Sequence, residues 1–419
     1  MGYKNSTAIL IKKLFCITFS ILLFDRIDTI PVALFSSLRK LKYLYIIIVA
    51  MYSCSQIGKH GFKKKEVFSL IVILILFMHT FLWGDVFVNT SLVKETHVHM
   101  REIVILLLFI GLTALLYSRE GSGVEFAKHS YFCYLTAFVW AGMTHPSSFV
   151  NPIKFVYVLG GEHTYRVSFG MGHANYVGSM CCCALTCSIY LFEKIRKHRS
   201  LKELLQNKQA LLLIIADVYI GEMLFSTASR TAIIAFSVEF LIYFLINSNE
   251  LFPVYGVRNA RFFAVVIGGI ILFTVGMLGL FTELMETSHR DALIDTNWEI
   301  LINYFSIWTG MGYVNYSGFA FGAWEFGYQT VNTDSYYAYI FFSTGILGSI
   351  FIAVSLLITC VESFKNSYKQ KNICDSITVV SLMLIGIAQA SVLSYDHMSS
   401  YTFWIMLLIR MSNSYSSIK

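Results

Sequence analysis

Apolar runs about as long as a lipid bilayer is thick recur along this whole chain. A transmembrane helix needs about 20 predominantly apolar residues. The runs are continuous and do not alternate with polar residues, which excludes a transmembrane β-barrel. Only 14% of the 419 residues are charged, compared with about 25% in an average soluble protein. The sequence therefore predicts an all-α polytopic membrane protein that forms a single transmembrane domain over residues 1–419.

About twelve transmembrane spans follow from these runs, and two long polar segments, at about 144–173 and 282–334, separate some of them. Connections of that length are uncommon unless they carry a function. The predicted spans cover residues 8–24, 41–57, 67–83, 102–117, 124–143, 174–192, 210–225, 231–247, 262–281, 335–360, 376–394 and 400–412.

Lysine and arginine gather in the connections at 58–66, 193–209 and 361–375. These three connections lie on one side of the membrane if twelve spans alternate, and the positive-inside rule makes that side cytoplasmic. Both termini are then cytoplasmic, and the two long polar segments face outward. This distribution explains the formal charge of +7 without a nucleic-acid partner. The exceptions are three cations in the first outer connection, Arg39, Lys40 and Lys42, and an interruption of the first span by Lys12 and Lys13.

Three arginines, Arg166, Arg230 and Arg290, lie where outer segments meet spans. Moving an arginine to the centre of a bilayer costs roughly 2.5–3.5 kcal/mol, so arginines next to apolar sequence call for an explanation. Each side chain taken alone could reach lipid headgroups or pair with a nearby acid. Taken together they favour one shared anion, because guanidinium groups match phosphate oxygens.

The stretch that begins at Arg166 has the composition of an anion-binding turn. Gly170 and Gly172 would let the backbone approach a ligand closely. His173 and Asn175 lie at the start of the sixth span, where free N–H groups and the positive end of the helix dipole attract anions. The alternative is an ordinary turn in which Asn175 caps the helix.

The other two arginines lie in different local contexts. Arg230 belongs to a polar hairpin between two spans, residues 226–232. Arg290 and its neighbour His289 fall in the first turn of a predicted amphipathic helix on the outer leaflet. Apolar residues recur there at helical spacing, namely Ile294, Trp298, Leu301 and Phe305.

Four short motifs follow one another between residues 160 and 360: Arg166-x-Ser168-Phe169 leading to Asn175, Ser229-Arg230-Thr231-Ala232, Arg290 with Trp298 leading to Gly310-Met-Gly312, and Asp334-Ser335-x9-Gly345-x2-Gly348. Their order resembles the Wzy-type repeat-unit polymerases and the related O-antigen ligases. These families are membrane glycosyltransferases with a GT-C-like architecture.

This resemblance implies a donor in which a repeat oligosaccharide is attached to undecaprenyl pyrophosphate. The acceptor is another such unit, and the product is O-antigen or capsular polysaccharide at the outer face of the bacterial inner membrane. A membrane protein that regulates chain length is an implied partner. The ligases have a histidine where this chain has Asp334, which favours a polymerase and makes Asp334 a candidate base, with His289 as the alternative. The implied pyrophosphate-binding residues are Arg166, Arg230, Arg290, His173 and Asn175.

The chemistry of such a transfer requires counter-charge for the leaving diphosphate and one base for the acceptor hydroxyl. The chain has no Asp-x-Asp pair of the kind that holds a metal in many sugar transferases. Arginines in that role predict a metal-independent, inverting transfer without a cofactor. Asp334 could instead be a helix cap. The adjacent Cys181, Cys182 and Cys183 point around a helix, so we expect packing residues there rather than metal ligands.

Two other functions fit the same features. A flippase for the same lipid-linked oligosaccharide would carry ionisable residues near the middle of its spans, together with paired broken helices. The acids within the later spans are Asp217, Glu222 and Glu239. An O-antigen ligase would differ from a polymerase in its acceptor.

Overall fold

The computed structural model describes residues 6–31, 37–87, 96–120, 123–149, 166–196, 201–251, 290–312, 335–370, 374–388 and 397–413. Regular structure within these ranges is helical, and none of it is β-strand. The helices are α1 (Ser6–Phe24), α2 (Leu41–His60), α3 (Lys64–Phe81), α4 (Thr96–Glu120), α5 (Gly123–Thr144), α6 (Ala174–Arg196), α7 (Leu201–Leu205), α8 (Lys208–Thr227), α9 (Arg230–Leu251), α10 (Arg290–Tyr304), α11 (Tyr336–Gln370), α12 (Cys374–Ala388) and α13 (Met398–Asn413).

Six of these helices, α1, α2, α4, α6, α8 and α11, are long and apolar enough to cross a membrane, and shorter apolar helices lie within α3, α12 and α13. The chain is thus a multi-pass helical membrane protein. Within the described residues, each predicted span falls on a helix, whereas the span 262–281 and residues 389–394 of the span 376–394 lie outside them. The total of twelve spans stays a prediction.

Long helices that follow one another run in opposite directions, and contacts between distant residues define two ends of the bundle. The lower end contains the connection between α2 and α3 and the connection between α4 and α5. There Lys12 Nζ lies 3.0 Å from Glu125 Oε2, and Arg119 pairs with the buried Glu66. The upper end contains the connection between α1 and α2 and the starts of α6, α9, α11 and α13.

Helix α6 lies at the centre of the bundle and packs against α5, α8 and α9. Small residues are frequent in its first two thirds, which lets neighbouring helices approach closely. Its four cysteines are completely buried as packing residues. Polar side chains along the lower half of α6 meet acids from other helices: Thr186 donates to Glu239 over 2.8 Å, and Tyr190 donates to Asp375 over 2.9 Å.

Three of the five cations that interrupt the predicted pattern are paired with acids of the bundle. Lys12 is only 5% exposed and pairs with Glu125. In the first upper connection, Arg39 Nε lies 2.7 Å from Asp25 Oδ2. Lys42 Nζ lies 2.9 Å from Glu102 Oε2. Acids on neighbouring elements therefore account for part of the positive charge that the positive-inside rule leaves unexplained.

Helix α11 is interrupted at Gly345, whose φ is 64°. The segment 306–312, which follows α10, fills this break through backbone hydrogen bonds in both directions. Amides below the break donate to the segment, and amides of the segment donate to carbonyls above it: Ile346 N to Ile307 O at 3.0 Å, Leu347 N to Trp308 O at 3.1 Å, Met311 N to Phe342 O at 2.9 Å, and Gly312 N to Ser343 O at 2.7 Å. We call this arrangement the glycine clasp.

Candidate active site

Three of the predicted binding residues meet at the start of α6. The guanidinium of Arg166 donates to the side-chain oxygen of Asn175. The backbone N–H of Asn175 donates to Nδ1 of His173 over 3.2 Å. A neutral imidazole that accepts at Nδ1 carries its proton on Nε2, so the exposed side of His173 presents a donor. The first turn of α6 thus offers guanidinium and imidazole N–H groups at the positive end of a helix dipole.

The loop before α6 is shaped by left-handed residues, with φ of 50° at Phe169, 69° at Gly170 and 89° at Gly172. A Cβ atom on Gly170 would lie 2.4 Å from both Asp28 Oδ1 and His145 Cε1. Gly170 is therefore needed for the close contact of this loop with Asp28 and His145, and its approach to a ligand stays a prediction. A Cβ atom on Gly172 would meet nothing within 4 Å, so this position has the open space expected for a ligand.

Contacts from two other connections hold this loop in place. Asp28 N donates to Gly170 O over 2.8 Å. His145 Nε2 lies 3.2 Å from Asp28 Oδ1. The phenyl rings of Phe149 and Phe169 lie 5.1 Å apart. The position of Arg166 therefore depends on the end of α1 and on the end of α5.

The hairpin that carries Arg230 packs directly against α6. Ala228, with φ of 50°, ends α8, and Arg230 begins α9. Between them Ser229 is completely buried. A Cβ atom on Gly178 would lie only 2.4 Å from Ser229 Cβ, so the absence of a side chain at Gly178 lets the hairpin contact α6. Because Gly178 lies one turn beyond Asn175, the motifs of Arg166 and Arg230 are neighbours.

A fourth arginine and a histidine, which the sequence analysis did not single out, lie at the same end. The guanidinium carbon of Arg26 lies 5.6 Å from the centre of the Tyr176 ring. The His397 ring lies 4.5 Å from the same tyrosine ring. Arg26 lies two residues after the predicted span 8–24. Its position at the end of a span was the sequence signal that could have identified it. We call Arg26, Arg166 and Arg230, with their contacts His173, Asn175 and Tyr176, the arginine cluster.

Arg290 begins α10 at its backbone, and the two candidate bases, His289 and Asp334, lie outside the described residues. Helix α10 packs on α11: Leu301 is completely buried, next to Met311 and Phe342. A helix is therefore present where the sequence predicts the amphipathic helix, with Leu301 packed against protein and with Ile294 and Trp298 exposed. Its approach to the arginine cluster stays a prediction.

In the described part of the chain, no group of three histidine, cysteine or acidic side chains is arranged to hold a metal ion. No protein-family model matches the chain, and no curated protein matches it significantly. What the site offers chemically is a set of N–H donors and positive charges at one end of a helical bundle. Guanidinium groups are suited to phosphate oxygens because they offer several N–H donors in a fixed plane.

Proposed function

We propose that this chain is a membrane glycosyltransferase that joins oligosaccharide repeat units, each attached to undecaprenyl pyrophosphate, into O-antigen or capsular polysaccharide. The reaction would take place at the outer face of a bacterial inner membrane. The observation that carries the proposal is the contact between Arg166 and Asn175 at the start of α6, next to the hairpin of Arg230. The start of α6 is a predicted junction between an outer segment and a span, and the charge of a lipid diphosphate would lie at such a junction.

The arginine cluster fits the needs of this reaction. The bond between the anomeric carbon and the diphosphate oxygen breaks, and negative charge develops on the leaving oxygen. Guanidinium groups fixed in advance stabilise that charge without reorganising. Asn175 fixes the Arg166 guanidinium, and His173 Nε2–H provides a further donor. In the proposed complex, Arg166 and Arg230 bind the donor diphosphate, and Arg290 adds charge from α10.

The proposal is tested by complementing a strain that lacks this chain and separating its surface glycan on a gel. We expect Arg166→Ala and Arg290→Ala to yield single-repeat glycan without long chains. Arg166→Lys should restore only part of the ladder, because an ammonium cannot bond an anion in the bidentate way of a guanidinium. Arg39→Ala is the matched control, since Arg39 lies at the same end and pairs with Asp25. Normal ladders from both alanine variants would contradict the proposal.

A flippase is the second candidate, and the interruption of α11 at Gly345 is the observation that favours it. Transporters often place discontinuous helices around a substrate site in mid-membrane. Here, however, the backbone of 306–312 occupies the break. The buried carboxylate of Glu239 accepts a hydrogen bond from the Thr186 hydroxyl. The carboxylate of Asp217 accepts one from the Tyr131 hydroxyl at 2.8 Å. Both features are thus explained by contacts within the bundle.

The same gel separates the alternatives. A strain without a polymerase keeps the single-repeat product and loses the ladder. A strain without a flippase loses all surface sugar from this pathway, because the units stay inside. A strain without a ligase accumulates polymer that is not attached to its final lipid.

A further inference from the structure

We propose that His397 is the general base that removes the proton from the acceptor hydroxyl, and that Tyr176 positions its imidazole next to the arginine cluster. This inference rests on the proposed function. The sequence had offered Asp334 and His289 for this step, whereas the structure brings a third candidate to the cluster itself.

The place of His397 follows from contacts between α6 and α13. Its ring lies 4.5 Å from the ring of Tyr176, and Tyr176 directly follows Asn175, the partner of Arg166. One turn further along α6, the hydroxyls of Ser399 and Ser179 lie 3.4 Å apart. The start of α13 therefore packs against the start of α6. These contacts set the position of the imidazole relative to Arg166.

Two features of this place favour the neutral imidazole, which is the form that accepts a proton. The carbonyl of His397 accepts the N–H of Ser400 over 3.0 Å at the beginning of α13, so the ring lies at the positive end of a helix dipole, which disfavours a cation. Arg26 also lies over the Tyr176 ring, at 5.6 Å. A second positive charge on His397 would be repelled by this guanidinium.

The step then balances as follows. The acceptor oxygen forms a bond to the anomeric carbon while its proton passes to the imidazole of His397. The bond from that carbon to the diphosphate oxygen breaks, and the electron pair leaves with the lipid diphosphate. The arginine cluster holds this anion. The imidazolium then releases its proton to water, and the base is restored.

Several other described titratable groups at this end contact one another or the backbone. Asp28 Oδ1 faces His145 Nε2 at 3.2 Å, and Nδ1 of that histidine faces the carbonyl of Ala141 at 3.3 Å. His173 Nδ1 receives an N–H of α6. Asp25 is paired with Arg39. The ring of His397 contacts the ring of Tyr176, a member of the arginine cluster.

The test uses the full chain in proteoliposomes, with lipid-linked repeat units extracted from a strain that lacks it. We expect His397→Gln to reduce kcat by about 10²- to 10⁴-fold, the usual contribution of a general base, while KM for the donor stays near the wild-type value. The rate of the wild type should fall at low pH as the imidazole becomes protonated. This fall at low pH, the acid limb of the pH–rate profile, should be absent in His397→Gln. Free imidazole should restore part of the activity of His397→Ala.

Two further variants make the outcome decisive. His60→Gln, at an exposed site of the lower end, should match the wild type. Arg26→Gln should move the acid limb to higher pH, because a repelling charge is removed; this readout does not require a folded His397 variant. A persistent acid limb in folded His397→Gln, or a rate within about threefold of the wild type, overturns the assignment. Loss of polymerisation in Arg166→Ala alongside such a result would leave the proposed function intact and remove only this inference.

Discussion

Gly310 and Gly345 show how single residues determine the path of the chain at the centre of this fold. A Cβ atom on Gly310 would lie 2.5 Å from Gly345 N, and one on Gly345 would lie 2.6 Å from Gly310 N and from Ile307 O. Both have positive φ, 72° and 64°, a region that other residues adopt only at a cost. No larger residue fits at either position, because backbone atoms cannot move aside as a flexible side chain can.

We therefore expect Gly310→Ala and Gly345→Ala each to reduce the free energy of unfolding by about 2–5 kcal/mol, from left-handed strain together with overlap with the backbone. Thermal unfolding in detergent measures this effect. Gly221→Ala is the matched control, since a Cβ atom there meets nothing within 4 Å. In a helix this change should stabilise the protein by roughly 0.5–1 kcal/mol. Equal unfolding temperatures for all three variants would contradict the glycine clasp.

Some contacts of the arginine cluster join residues close in sequence, and others join different helices. Local sequence patterns can indicate only the first kind. The contact between Arg166 and Asn175 spans nine positions, and a turn-and-helix pattern made it predictable. The contact between Arg26 and Tyr176 joins the end of α1 to the start of α6. No local pattern states which helices are neighbours, so the role of Arg26 and that of His397 became visible only with the fold.

Among the elements, the helices themselves follow from hydrophobic runs, because each run reports directly how long a segment can stay in lipid. Helix α10 was predictable from its periodicity. Its docking was not: Trp298 stacks on Phe341 at 6.1 Å, and this contact depends on the folded position of α11. The glycine clasp was equally hidden, since the sequence showed two glycine motifs without their backbone pairing.

Helices α6, α9 and α12 are joined in mid-bundle by Glu239, which is completely buried and accepts from Thr186 at 2.8 Å and from Ser381. A glutamine keeps an acceptor oxygen for these hydroxyls. Glu239→Gln should therefore change the free energy of unfolding by less than about 1 kcal/mol. Glu239→Ala should cost about 2–4 kcal/mol, because it leaves a cavity and two hydroxyls without this partner.

Thermal unfolding of the purified variants checks this expectation, and Glu222→Ala, at an exposed site of α8, is the control, with an effect below about 0.5 kcal/mol. A glutamine variant that is stable but inactive in polymerisation would show that the acid itself is needed. That result would favour the transporter, because proton relays in membranes use buried carboxyls.

On the scale of the whole molecule, the two ends of the bundle differ in where their cationic residues lie and what they contact. Lower-end cations gather in short connections, as the positive-inside rule predicts for the cytoplasmic side. At the upper end, Arg39 and Lys42 are paired with acids, whereas Arg26 lies on an aromatic ring of the arginine cluster. If the lower end is cytoplasmic, the arginine cluster faces the compartment in which the proposed polymer grows.

This orientation is testable with single cysteines, after Cys16, Cys54 and Cys360, the free cysteines that are not buried, have been replaced by serine. Ser147→Cys adds a thiol at an exposed position of the upper end, and His60→Cys adds one at the lower end. A membrane-impermeant maleimide should label the first in spheroplasts with an intact inner membrane and the second only after lysis. The reverse pattern would place the arginine cluster in the cytoplasm. A polymerase acting on units that have already been flipped outward would then have no access to its substrate.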